Sequence, residues 1–365
     1  MFRPGDSGKK CCSLSDRCVG TRDKSRNGNA SRALAPVRSL LRQTVLLALP
    51  PLFATLNKVG TFGECGTKVA MKTALLVLVL LTPALRCSTQ PAVSQKGEAV
   101  PRASMRQMTI PSHGSMLLGV FYLAAGADLH PTAVILHGFP GFEQNLDIAQ
   151  KLRTNGWNVL AMHYRGSWGV KGDFSFERAA EDADTEVRYL LNLNNAKKFR
   201  IDTHHLFVIG HSMGGYMAAF AAAHNPQVSG IVLISAWNIG ADYEMRRHVG
   251  SKPPTIENEA ESLSEDDNLL PLSGTNGLTL AREIRDHERK LNLLNLAPSI
   301  PPRPVLVITA KDGLAESDHA FADALRRAGD THVIEKHWNT DHSYSGEREE
   351  LSNLIVDWAK TNVLP

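Results

Sequence analysis

After Cys87 the chain of 365 residues contains no cysteine; Cys11, Cys12, Cys18, Cys65 and Cys87 all lie in its N-terminal quarter. That absence removes a disulfide framework, a thiolate nucleophile and a cysteine metal site from the rest of the polypeptide. Cys11, Cys12 and Cys18 sit in a basic Ser/Asn-rich tail with no histidine beside them, a poor start for a metal centre. Excess charge of one sign is also lacking. The net charge is +3, spread along the chain, and no lysine or arginine block follows the tail. The electrostatic footprint of a nucleic-acid binder is therefore missing, and no nucleic-acid partner is expected. No self-similar period appears.

The N-terminal region has two beginnings. Residues 1–70 read as a disordered extension or a misassigned start, because "SLLRQTVLLALPPLFATL" is interrupted by Arg42, Pro50 and Pro51. Then "MKTALLVLVLLTPALRCSTQ" sets a lysine before the apolar run Ala74–Leu81, followed by Thr82, Pro83 and Ala84. That is the layout of a secretory signal peptide over 71–90, and the run is too short for a comfortable membrane span. A start at Met71 and a secreted or periplasmic protein are the expectation. Two variants stay open: an uncleaved anchor, and lipid on Cys87, against which Arg86 stands where such motifs want a small residue.

From about Met116 the chain alternates two kinds of segment, within a domain expected over 105–365. "TAVILHG", "WNVLAMHY", "LFVIGHS", "GIVLISA" and "PVLVITAKD" are short, nearly continuous apolar runs, as in strands covered on both faces. Between and after them lie amphipathic segments: Glu143–Asn155, Phe176–Asn192, Met213–His224, Glu316–Ala328 and Glu347–Lys360. The order predicts an α/β fold, a mostly parallel central sheet with helices on both faces. One interval, about 237–301, carries no convincing strand. Its "SKPPTIENEAESLSEDDNLLPLSGTNG" is loop-like and acidic, and "LTLAREIRDHERKLNLLNL" reads as a charged amphipathic helix. An insertion of that length predicts a cap above a site.

"HLFVIGHSMGGYMAAFAAAH" raises the chemical question, because it puts a lone serine, Ser212, between Gly210 and Gly214 at a strand-to-helix junction. In an open parallel sheet, ligands bind beyond the carboxyl ends of the strands. A residue on such an elbow has a strained backbone and needs small neighbours, and its hydroxyl projects free of the sheet. A helix-capping serine in a glycine-rich turn is the plainer reading. A nucleophile needs a base and an orienting acid. Asp312 follows the run "PVLVITA", and His342 lies in the loop before the last helix, giving the chain order Ser212, Asp312, His342. Among rival groups, Asp341 adjoins the histidine too closely, Glu316 and Asp318 are expected to face solvent, and His337 falls in a strand-like run. The Met213 N–H opens the helix, and the loop "HGFPG" offers the Phe139 N–H opposite it; Pro140 cannot donate.

With HGFPG, GHSMGG, the Asp312 loop and "TDHSYS" in this order, the sequence resembles the α/β-hydrolase superfamily from roughly Met116 to the C-terminus. "NVLAMHYRGSWGVKGDFSFERAAEDADTEVRYL" is similar to the serine hydrolases grouped loosely with dipeptidyl-aminopeptidase/acylaminoacyl-peptidase-like enzymes and with esterases. The resemblance implies an α/β-hydrolase fold with a cap insertion and a Ser212–His342–Asp312 triad. It also implies an acyl-enzyme route with oxyanion donors Phe139 and Met213, and an Arg165 that ties its loop to Asp182 or Asp184. A small acyl ester, amide or short peptide is the implied substrate, with no metal and no cofactor. The peptidases of that group carry a large β-propeller for which this chain has no room, which favours small esters. Two alternatives remain: a secreted aminopeptidase, with Asp242 or Glu244 receiving a substrate amine, and a non-catalytic binding protein on the same scaffold.

Overall fold

The apolar runs become strands because both of their faces are covered. The computed structural model describes residues 100–241 and 255–364. Residues 1–70, the segment 71–90 and the five cysteines lie outside them, as do Asp242 and Glu244. The strands are β1 (Ser104–Ser112), β2 (Ser115–Leu123), β3 (His130–Leu136), β4 (Asn158–His163), β5 (Ile201–His211), β6 (Gly230–Ile234), β7 (Val305–Thr309) and β8 (Val333–His337). They form one sheet in the order β1-β2-β4-β3-β5-β6-β7-β8. β1 pairs antiparallel with β2 and β2 with β4; all further pairings are parallel.

Alternation along each central strand sends successive side chains into two separate cores. Val134, Leu136, Val208, Leu233 and Val307 pack on one face, with Ala183 and Val187 of α2 (Phe176–Leu191) and Met217 and Ala221 of α4 (Met213–His224). Ile135, Phe207, Ile209, Val232 and Ile308 pack on the other, with Ile148 and Leu152 of α1 (Leu146–Thr154) and Ile355 and Trp358 near the C-terminus. The remaining helices are α3 (Leu193–Phe199), α5 (Ile256–Ser264), α6 (Gly277–Asp286), α7 (Ala315–Arg327) and α8 (Arg348–Asn362). The expected mostly parallel sheet with helices on both faces is the observed architecture.

Three features differ from the sequence expectation. β1 and β2, absent from the expected strand runs, form a hairpin turning through His113 and Gly114, both at positive φ, the geometry of a two-residue turn. α3 was unanticipated. The charged segment of the insertion is helical only to Asp286; Leu293–Ser299 forms a 3-10 turn that contains Pro298.

The described part of the insertion is fastened to the main body. Leu263, Leu280, Ala281 and Ile284 are buried in the first core. Ser273 N–H donates to Gly166 O (2.8 Å), and Trp168 and Phe174 N–H donate to Pro271 O and Ser273 O (2.8 and 2.9 Å). Glu283 of α6 accepts the Phe176 and Glu177 N–H groups at the start of α2, at 3.1 and 2.9 Å. A carboxylate on a helix N-terminus is favourably placed.

Candidate active site

Ser212 is where β5 becomes α4, and its backbone is strained, with φ 55° and ψ −124°. The glycines around it are forced by contact. A Cβ on Gly210 would strike the Gly214 main chain, and one on Gly214 would strike the Leu136 carbonyl. The serine side chain makes no capping hydrogen bond, which removes the helix-cap reading. Its main chain is fixed instead: its N–H donates to Ile234 O (2.9 Å) and its carbonyl accepts from Trp237 N–H (2.8 Å).

Asp312 and His342 meet as expected, 2.8 Å apart from Nδ1 to Oδ2. Both sit in loops at carboxyl ends of strands, after β7 and after β8. A carboxylate can only accept, so this hydrogen bond is donated by His342 Nδ1, and in the neutral imidazole the lone pair is on Nε2. The aspartate side chain is 6% exposed and the histidine 40%, so the pair is shielded at the acid and open at the base. Burial works to raise the Asp312 pKa. Hydrogen bonds from His342, Ser235 and the Leu314 N–H prevail and hold it well below the usual carboxylate range.

The base and the elbow are brought together through His211, the residue before the serine. Its ring centroid lies 4.8 Å from that of His342, and its Nε2 donates to the His342 carbonyl at 2.9 Å. Among the described residues Ser212 Oγ has no hydrogen bond to His342. Such bonds are often long before substrate binds.

The HGFPG loop presses on the elbow: a Cβ on Gly138 would stand 2.9 Å from Ser212 Cβ. Its shape is set by polar ties. His137 Nδ1 donates to Gly138 O (2.8 Å), Tyr164 OH to His137 O (3.1 Å) and Trp168 Nε1 to Pro140 O (2.8 Å). His163 Nδ1 lies 3.3 Å from His137 Nε2 and completes a relay of neutral rings. Burial pushes the His137 pKa down to about 3. Phe139 follows Gly138 in this loop, and Met213 follows Ser212 as the first residue of α4. Beside them is an apolar wall: the Phe139 ring lies 5.7–6.4 Å from those of Phe174, Phe176 and Trp237.

The rival groups have other employment. Asp341 accepts from Ser343 and Ser345 N–H (both 3.0 Å), and His337 Nδ1 is bonded to Thr309 Oγ1 (2.9 Å). Glu316 is exposed. Asp318 corrects the expectation of a solvent-facing acid: it is fully buried and accepts the Ala236 N–H at 3.0 Å. Burial raises its pKa well above the ordinary value. Arg165 pairs with Asp182 (2.8 Å) and Glu181 (2.6 Å), whereas Asp184 pairs with Arg188. Sequence reasoning missed the supports of the site: His211, Ser235, Tyr344 and the aromatic wall. Tyr344 OH lies 2.9 Å from Ser235 Oγ, behind Asp312. Its one signal was the "DHSY" spacing.

Among the described residues no cluster of His, Cys, Asp and Glu could hold a metal ion, and no helix is long and apolar enough to cross a membrane.

The comparisons agree with this fold. EstE1, a thermostable carboxylesterase from a metagenomic library, is 22% identical, with 73% of this chain and 91% of that one covered, at a TM-score of 0.55. A carboxyl esterase from Bacillus coagulans is 17% identical over 72% and 99% of the two chains, TM-score 0.53. An esterase from Pyrobaculum calidifontis is 20% identical over 72% and 87%, TM-score 0.52. At these identities the likeness is one of fold. No curated protein sequence matches. The sequence model of the alpha/beta hydrolase family matches residues 133–353, more than half of the chain and the whole of the site just described. This chain belongs to the alpha/beta hydrolase family.

Proposed function

We propose that the protein is a serine hydrolase that cleaves small carboxylic esters through an acyl-enzyme, with Ser212 as nucleophile, His342 as base and Asp312 as its orienting acid. The observation that carries this reading is the 2.8 Å His342–Asp312 bond beside an elbow whose serine hydroxyl caps nothing. The reading is further supported by the fold neighbours, several of which are esterases.

In this mechanism the His342 Nε2 lone pair takes the Ser212 proton as Oγ attacks the acyl carbonyl. Asp312 stabilises the imidazolium that results. The Phe139 and Met213 amides receive the oxyanion, each contributing about 3 kcal/mol to the transition state. His342 then protonates the departing alcohol, and water, activated by the same base, releases the acid. The apolar wall of Phe139 and Trp237 suits the acyl part of the substrate. Asp242 and Glu244, the groups that would receive a substrate amine in the aminopeptidase reading, lie outside the described residues. Secretion through a leader that begins at Met71 is part of the proposal; mass spectrometry of the mature N-terminus tests it.

The activity test compares p-nitrophenyl acetate, butyrate and octanoate with alanyl-p-nitroanilide. Ester turnover far above anilide turnover is expected. Preferential turnover of the anilide would favour the aminopeptidase reading. Asp312→Asn should lower kcat by about 10⁴ with KM little changed, since the base loses its tautomer. A loss under tenfold would move the orienting role elsewhere.

A further inference from the structure

His211 has no part in bond making, yet it touches the proposed base twice. It is 4% exposed, and its Nε2 donates to the His342 carbonyl at 2.9 Å. Its ring lies 4.8 Å from the His342 ring at an interplanar angle of 35°. Its other nitrogen, Nδ1, is buried and has no partner among the described residues. A buried nitrogen without a partner costs free energy, so a residue chosen only to fill this space would be apolar. What the imidazole supplies, and a phenyl ring cannot, is the Nε2–H. That donor reaches across 131 residues of sequence to the main chain of the base.

We propose that His211 is a positioning residue for His342: its Nε2–H anchors the main chain of the base while its uncharged ring backs the imidazole, fixing the direction of the base toward the neighbouring Ser212. The proposal rests on the serine-hydrolase reading for its meaning in catalysis, but the anchoring itself does not require that reading. Three charged or titratable groups act on His211: His342 and Arg348 disfavour its protonation and Asp312 favours it. Burial is the largest cause and, with His342 and Arg348, outweighs Asp312 and the bond to the His342 carbonyl. It pushes the pKa down to about 4, so at neutral pH His211 is a neutral donor. The arrangement also explains why the elbow carries histidine at this position. The residue before the nucleophile is the last of β5, and its side chain reaches the loop that holds the base.

The test uses the full chain and two substitutions with opposite losses. His211→Phe keeps a ring and removes the donor; His211→Gln keeps a donor at similar reach and removes the ring. With p-nitrophenyl butyrate, His211→Phe should lower kcat at least tenfold with KM within twofold. His211→Gln should recover most of that loss. The proton shared by His342 and Asp312 gives a second readout by low-field proton NMR. It should stay sharp in wild type and His211→Gln and broaden through exchange in His211→Phe. Should His211→Phe fail to fold, His211→Asn, whose amide is too short to reach the carbonyl, takes its place with the same expectations. A His211→Phe or His211→Asn protein with kcat within twofold of wild type and an unchanged resonance overturns the proposal. If the wild type itself hydrolyses no ester, the hydrolase reading fails while the resonance still decides the anchoring.

Discussion

Glu186 is buried in α2, and neither of its carboxylate oxygens has a partner among the described residues. Burial, and then the nearby Asp182, raise its pKa well above the ordinary value. Folding must therefore hold a proton that the unfolded chain releases above the usual carboxylate range, and stability falls as pH rises. Glu186→Gln should raise stability at pH 7, because the buried amide has no proton to lose when the chain unfolds. It should do little near pH 4, where the acid is protonated in both states; Tm at the two values checks this. The same burial logic explains which residues were legible in the sequence. Ser212 and Asp312 could be found because each follows an apolar run, and His342 because it lies in the loop before the last helix; the carboxyl ends of parallel strands share one rim. Asp318 could not. Its fate depends on the Ala236 N–H, which only the folded end of β6 brings to it.

The elbow and the insertion are held by different physics. At the elbow the constraint is steric: the Cβ of Gly214→Ala would meet the Leu136 carbonyl, which belongs to the sheet and cannot yield. We expect that substitution to cost about 3 kcal/mol or more, seen as a lowered denaturation midpoint. At the insertion the tie is polar. Glu283→Ala leaves two N–H groups at the start of α2 without their acceptor. The loss should be about 1–2 kcal/mol, with faster amide exchange in α6 while the central strands stay protected. Elements were legible where their burial was one-sided and long, as in α2, or two-sided, as in β5 to β7. β1 escaped because Met105 is exposed while Met108 and Ile110 are buried, so its apolar residues mark no single face, and α3 because its seven residues are too few to show a period.

At the scale of the whole molecule, buried titratable groups pull the pH dependence of stability in opposite directions. His137 and His211, pushed down to about 3 and 4 by burial, favour folding above the range where an unfolded histidine titrates and lose that contribution as pH falls through it. Glu186 and Asp318 act in the other sense. Removing Glu186 should therefore tilt the curve, so that Glu186→Gln loses more Tm than wild type between pH 7 and pH 5. Under the proposed function, the two cores, the shared rim and the fastened insertion serve one chemical end: a single activated hydroxyl. Labelling with a fluorophosphonate, followed by peptide mass spectrometry, tests that most directly. The account predicts one adduct, on Ser212, absent from Ser212→Ala and strongly slowed in His342→Ala. An unlabelled wild type, or an adduct that persists in Ser212→Ala, would contradict it.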